Sequence, residues 1–229
     1  MIETQPLIAL IHAVPSGARI AQEAFARDFP EARVWNLLDD RLLDEARAVG
    51  GLDGALRRRM LRLIRHAIDG GADGVLLTCS SYGEVVDEAR KLWDAPLLKS
   101  DESMFRAALT GRYDRLAVLA STPPAIPAAV AQLDALIGDV RTGRPVHITT
   151  ALSEEAAAAD SPEVTARHLA DALRTTGTHD TETVLLAQYS LAPAGPALAE
   201  LLGVPVLDGA GAAARDLRAR FAAAQAVPA

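Results

Sequence analysis

A short apolar run with no polar alternation is what a strand covered on both faces requires, and this chain carries such runs twice, in the same order. Leu116-Ala117-Val118-Leu119-Ala120 follows Leu7-Ile8-Ala9-Leu10-Ile11 by 109 residues, and Val184-Leu185-Leu186 follows Val75-Leu76-Leu77 by the same interval. Leu201, Pro205 and Leu207 follow Leu92, Pro96 and Leu98 at that spacing too. A constant offset across two separated strand regions and a proline predicts two related lobes of about 100 residues each.

Helical stretches separate the runs. Gly17 to Phe29 carries Ile20, Ala21, Ala24 and Phe25 at helical spacing, and Leu52 to Ala67 places Leu56, Met60, Leu63, Ile64 and Ala67 on one face. Val34 to Leu37 and Pro96-Leu97-Leu98 read as further short strands, and Gly83 to Leu92 as a helix. Strand-then-helix alternation predicts an α/β fold with parallel sheets covered by helices. Ligands of such sheets sit outside the carboxyl ends of the strands, so two facing lobes predict one cleft between two sets of strand-end loops. Those loops are His12 to Ser16, Cys79 to Tyr82, Ser121 to Pro124 and Gln188 to Ser190. At an interval of 109, Cys79 pairs with Gln188, Ser81 with Ser190 and His12 with Ser121.

Composition removes several function classes. Twenty-three basic residues against 30 acidic ones give a net charge of -7, and aromatic residues are 4%, so neither a phosphate-backbone footprint nor a base-stacking groove is expected. The single cysteine, Cys79, excludes an intrachain disulfide and a cysteine-only metal site. His66, His147, His168 and His179 lack ligand spacing, so no metal site is expected. Gly209-Ala210-Gly211 lacks a third glycine and follows the last strand, which argues against a dinucleotide site. Met1-Ile2-Glu3 opens no basic segment and no long apolar run follows, so neither signal peptide nor membrane anchor is expected, and the cytoplasm is the expected compartment.

The Thr78-Cys79-Ser80-Ser81 turn, the Leu119-Ala120-Ser121-Thr122 turn and the Leu186-Ala187-Gln188-Tyr189-Ser190 turn before Val204-Pro205-Val206-Leu207 resemble the aspartate/glutamate/hydantoin racemase superfamily over Leu7 to about Arg220. The resemblance implies two pseudo-symmetric Rossmann-like lobes facing each other, each commonly supplying a cysteine that moves a proton at a carbon next to a carboxylate, without metal or cofactor. It also implies that a C-terminal helix, Ala210 to Ala224, returns to the first lobe, which sets the expected lobes at 1–99 plus 208–229 and 100–207. Cys79 matches the first family cysteine, and Gln188 stands in place of the second. An amide cannot titrate, so two-thiol racemisation does not transfer to this chain. Relatives similar to arylmalonate decarboxylase work with one thiol, held by the other lobe. Maleate isomerase uses a first-lobe cysteine as nucleophile but keeps a second one.

A cysteine at a strand-to-helix turn lies where unpaired N–H groups favour the thiolate, which makes Cys79 a candidate nucleophile or proton carrier, although a lone cysteine also serves as a small buried apolar residue. Ser80, Ser81, Ser121, Thr122, Ser190 and Ser16 are short hydroxyls at strand-end loops, suited to holding a carboxylate or enolate oxygen and equally to capping helices. His12 titrates near neutrality and is the candidate second proton carrier, or a structural histidine bonded to loop backbone. Tyr82 and Tyr189 follow the key turns, to gate, floor or fill the pocket. Arg57-Arg58-Arg59, Arg62 and Arg65 read as a solvated helix face or a subunit contact. The expected protein is a cofactor-independent isomerase or racemase-type enzyme acting on a small carboxylate, in a homo-oligomer of two or more copies. The alternatives are a decarboxylase, a Cys79–His12 hydrolase, or a binding protein that closes on a small carboxylate without turning it over.

Overall fold

The computed structural model describes residues 5–111, 113–140 and 145–225. The chain forms two α/β units: one runs through Ser100 and resumes at Ala213, and the other spans Asp101–Ala212.

The first unit holds β1 (Leu7–His12), α1 (Pro15–Asp28), β2 (Arg33–Leu38), α2 (Leu42–Ala48), α3 (Gly54–Asp69), β3 (Gly74–Leu77), a 3-10 turn at Ser80–Tyr82, α4 (Gly83–Ala89) and β4 (Leu97–Leu98). Its four strands are parallel in the order β2-β1-β3-β4. Ala9, Ile11, Val75 and Leu77 point to one face and pack with Leu56, Met60 and Ile64 of α3 and Val85 and Val86 of α4. The alternate residues Ile8, Leu10 and Leu76 are equally buried, which is why β1 and β3 read as continuous apolar runs. Asp53 starts α3 by accepting hydrogen bonds from the backbone of Ala55 and Leu56 at 2.9 and 2.8 Å.

The second unit holds α5 (Glu102–Thr110), β5 (Arg115–Ala120), α6 (Ala125–Val140), β6 (His147–Leu152), α7 (Glu155–Ala158), α8 (Pro162–Thr175), β7 (Thr183–Leu186), a 3-10 turn at Tyr189–Ala194, α9 (Gly195–Leu202), β8 (Val206–Asp208) and the start of α10 (Gly209–Gln225). The strand order β6-β5-β7-β8 reproduces that of the first unit, again all parallel. Ala117, Leu119, Val184 and Leu186 pack with Leu169 and Leu173 of α8 and Leu198 of α9, while Leu116, Val118 and Leu185 pack with Phe105 of α5 and Leu133 of α6. Gly203 ends α9 at φ +69°, a left-handed conformation that glycine adopts without steric cost.

The duplication is therefore a repeat of topology, with one correction to its register. Ile8 faces Gly74, whereas Leu116 faces Thr183, so β5 follows β1 by 108 residues while β7 follows β3 by 109. Cys79 and Gln188 remain equivalent, but His12 corresponds to Ala120, and Ser121 corresponds to Ala13. The second passage between units also falls later than expected. It lies after Ala212, inside α10, because the first turn of that helix belongs to the second unit's core, where Ala212 packs with Leu116 and Leu185. The remainder joins the first unit: Leu217 meets Gly74, Phe221 lies 6.1 Å from Phe29, and Arg215 reaches Asp28 at 3.0 Å.

Candidate active site

Two polar arrangements stand at the carboxyl ends of the strands, one in each unit. In the first, the Thr78 N–H extends the β3 ladder to the Ile11 carbonyl at 3.0 Å, and Cys79 follows in extended conformation at φ -112°, ψ 112°. Cys79 is half-buried, packed against the core, and leads into the 3-10 turn, where the Tyr82 N–H bonds its carbonyl at 3.2 Å. Ser80 and Ser81 are exposed beside it. Tyr82 is fully buried and donates to the Leu42 carbonyl at 2.8 Å. Burial, with Cys79 nearby, pushes its pKa up to about 12, so it fills the core under the turn as a neutral phenol.

His12 ends β1 with no solvent exposure. Its Nε2 lies 2.9 Å from the Asn36 Oδ1, and its Nδ1 lies 2.9 Å from the Thr78 Oγ1. Burial lowers its pKa below 6.5, partly offset by the Asn36 bond. A neutral ring that donates through Nε2 to an amide oxygen must accept at Nδ1, so the Thr78 hydroxyl is the donor there. Both ring nitrogens are thus occupied by protein partners. Gly17 of α1 packs over this pair: a Cβ there would stand 3.4 Å from the Thr78 Oγ1 and 3.8 Å from the His12 Nδ1. Ser16, in the first turn of α1, is exposed.

Two arginines of α3 are engaged inside their own unit. Arg59 bonds both carboxylate oxygens of Asp39 at 2.6 Å and Glu45 at 2.8 Å. Arg57 bonds Glu84 and Glu88 at 2.6 and 2.8 Å. Asp39 also ties back to the site, its N–H donating to the His12 carbonyl at 3.0 Å.

In the second unit, Gln188 occupies the position of Cys79, extended at φ -149°, ψ 138° before the Tyr189–Ala194 turn. Its Oε1 accepts from the Ser121 N–H at 2.6 Å and the Ser121 hydroxyl at 3.2 Å. Ser121 is buried, and Thr122, half-buried, accepts the Ala125 N–H at 3.1 Å. Tyr189 is half-buried; desolvation, with Asp101 and Asp208 nearby, holds its pKa well above the usual 10. Ser190 is exposed.

Among the expected site residues, the structure brings Ser121 to Gln188, and it brings His12 to the residue before Cys79. Thr78 and Asn36 are the participants that sequence reasoning missed. Thr78 adjoins the cysteine, and Asn36 interrupts an apolar strand with an amide, so each carried a signal visible only once strand register was known. Among the described residues no three His, Cys, Asp or Glu side chains converge to hold a metal ion, and no helix is long and apolar enough to cross a membrane.

Two parallel four-stranded sheets of identical order, with a cysteine turn in one and its equivalent turn in the other, define a duplicated α/β protein of the racemase type. The family model for Asp/Glu/hydantoin racemase matches residues 17–217, and the chain belongs to that family. No curated protein matches the chain in sequence. Solved structures share its fold. The allantoin racemase from Klebsiella pneumoniae is 17% identical with a TM-score of 0.69, covering 96% of this chain and 89% of its own. A glutamate racemase isoform from Bacillus anthracis is 13% identical with a TM-score of 0.68, covering 97% and 83%. Arylmalonate decarboxylase is 19% identical with a TM-score of 0.63, covering 95% and 92%.

Proposed function

We propose that the protein is a cofactor-independent enzyme acting at the carbon next to a carboxylate of a small acid, with Cys79 as nucleophile or acid/base. The observation that carries this reading is the position of Cys79: it stands two residues past β3, at the carboxyl end of a parallel sheet, in a chain of the racemase family. Ser80 and Ser81, on the same turn as Cys79, are the proposed anchors of the carboxylate, and Thr122 and Gln188 are the candidate site residues of the second unit. With its two ring nitrogens bonded to Asn36 and Thr78, His12 is assigned to holding the end of β3 rather than to carrying a proton.

Gln188 favours a one-thiol reaction over two-base racemisation, because an amide stabilises negative charge by hydrogen bonding and exchanges no proton. Decarboxylation and isomerisation fit that requirement, and the structural likeness to arylmalonate decarboxylase agrees with the first.

The test is a panel of small carboxylic acids incubated in deuterated water with the wild type and Cys79→Ser. Solvent deuterium at carbon, isomerisation or carbon dioxide release that depends on Cys79 is expected. Identical spectra for the two proteins across the panel, together with slow alkylation of Cys79 and tight binding of an acid, would establish a binding protein instead.

A further inference from the structure

The proposed reaction leaves His12 out as a proton carrier, yet the surroundings of its buried ring accept a proton without loss of a partner. Nε2 faces the Asn36 Oδ1 at 2.9 Å, an atom that only accepts, so Nε2 carries a hydrogen whether the ring is neutral or charged. Nδ1 faces the Thr78 hydroxyl at 2.9 Å, and that hydroxyl lies 3.2 Å from the Ile11 carbonyl. With the ring neutral, the hydroxyl donates to Nδ1. With a proton on Nδ1, the ring donates to the hydroxyl oxygen and the hydroxyl hydrogen turns to the Ile11 carbonyl. That carbonyl also accepts the Thr78 N–H at 3.0 Å and has a lone pair for each donor. The heavy atoms stay in place and only hydrogens move.

Both partners of the ring are uncharged. Past the end of β2, Asp39 gives its N–H to the His12 carbonyl while Arg59 of α3 holds its carboxylate. On the other side α1 brings Gly17, and Arg19 and Glu23 further along that helix are exposed and paired with each other. β3 brings Thr78 and then Cys79. Because Ile11 pairs with Leu77, His12 stands beside Thr78, and its backbone lies about 6 Å from that of Cys79, given a strand spacing of about 4.8 Å and a rise of about 3.3 Å per residue. We propose that the His12–Thr78 pair is a proton-operated switch on the cysteine turn: one proton taken up from solvent at Nδ1 reverses the bond to Thr78 and sets a positive charge near Cys79, favouring its thiolate. Burial places this titration below pH 6.5. The proposal rests on the reading of Cys79 as the reactive thiol, and it adds that the reactivity of that thiol carries the titration of His12.

The test measures the rate of Cys79 alkylation by iodoacetamide on the full chain from about pH 8 to about pH 5, beside the ring nitrogen chemical shifts of His12 in the same protein. Below the thiol pKa an unlinked cysteine loses about tenfold in rate per pH unit. Wild type is expected to lose less across the His12 titration, ending about two- to tenfold above the line extrapolated from higher pH. His12→Gln cannot titrate and is expected to follow that line. The ring shifts are expected to show the Nε2–H form when neutral and one protonation step in the folded protein. Thr78→Val takes a partner from both states, and the charged ring loses the stronger bond, so the His12 midpoint is expected to fall further, with Thr78→Ser restoring it. A neutral ring in the Nδ1–H form overturns the switch, as does a midpoint that Thr78→Val leaves in place. Slow alkylation that still bends at the His12 midpoint sinks the catalytic reading of Cys79 alone, whereas fast alkylation without the bend sinks the switch alone.

Discussion

The His12 ring and the Thr78 hydroxyl meet at 2.9 Å across β1 and β3, one residue before Cys79. The same hydroxyl lies 3.2 Å from the Ile11 carbonyl, so it has two acceptors and one hydrogen. With the ring neutral, the hydrogen goes to Nδ1. Thr78→Val keeps the shape and removes the donor, leaving a buried ring nitrogen unsatisfied at a cost of about 1–3 kcal/mol. Thr78→Ser is expected to recover most of that loss. Urea unfolding midpoints of the three proteins check it, and a Thr78→Val protein as stable as wild type would break the argument.

Acid should weaken the fold through the same residue. Burial holds the folded His12 below its ordinary value of 6.5, so the unfolded chain takes up its proton first as pH falls. The contribution is fully present above about pH 6.5 and is lost as pH falls through the lowered folded value. His12→Gln cannot titrate, so its melting temperature is expected to fall less steeply than that of wild type between about pH 7.5 and pH 5. Parallel curves would show that the burial of His12 has no proton linkage.

Gly17 sets how closely α1 lies on this pair. Its added Cβ would make ordinary contacts at 3.4 and 3.8 Å, so Gly17→Ala is expected to change stability by less than about 1 kcal/mol, in the stabilising direction. Gly17→Leu would drive a branched side chain into Thr78 and His12, with an expected loss of about 1–3 kcal/mol. Thermal melts distinguish the two, and a neutral Gly17→Leu would mean that α1 is not seated as described.

Tyr82 tests whether the floor of the cysteine turn is structural or chemical. Tyr82→Phe removes the hydroxyl bond to the Leu42 carbonyl, which also starts the α2 ladder, an expected cost of about 0.5–1.5 kcal/mol. Because Tyr82 titrates only at about 12, the rate of Cys79 alkylation against pH should keep its shape below about pH 9 in this variant. A shifted midpoint for alkylation would make Tyr82 part of the chemistry.

What the residues alone revealed divides along a physical line. Strands buried on both faces announce themselves as apolar runs, so β1, β3, β5 and β7 were readable together with the duplicated plan. Their hydrogen-bond register was not, because counting residues cannot see that the path from β1 to β3 is one residue shorter than that from β5 to β7; hence the pairing of His12 with Ser121 failed while that of Cys79 with Gln188 stood. Asn36 was hidden for a related reason: its value lies in facing a histidine on the neighbouring strand. Arg57 and Arg59 read as solvated because their carboxylate partners lie on α4, on α2 and beyond the end of β2, remote in the chain.

The unequal register also says how the two halves have parted. At the positions of His12, Asn36 and Thr78 the second unit carries Ala120, Thr150 and Ala187, so the buried polar trio exists once while its sheet exists twice. Rebuilding the trio in the other copy takes three substitutions at those addresses, and a histidine placed by uniform counting at Ser121 would instead displace the residue that orients Gln188. One scaffold thus occurs twice with different polar groups at its strand ends: a histidine–threonine pair beside a thiol in one copy, a serine bonded to an amide in the other.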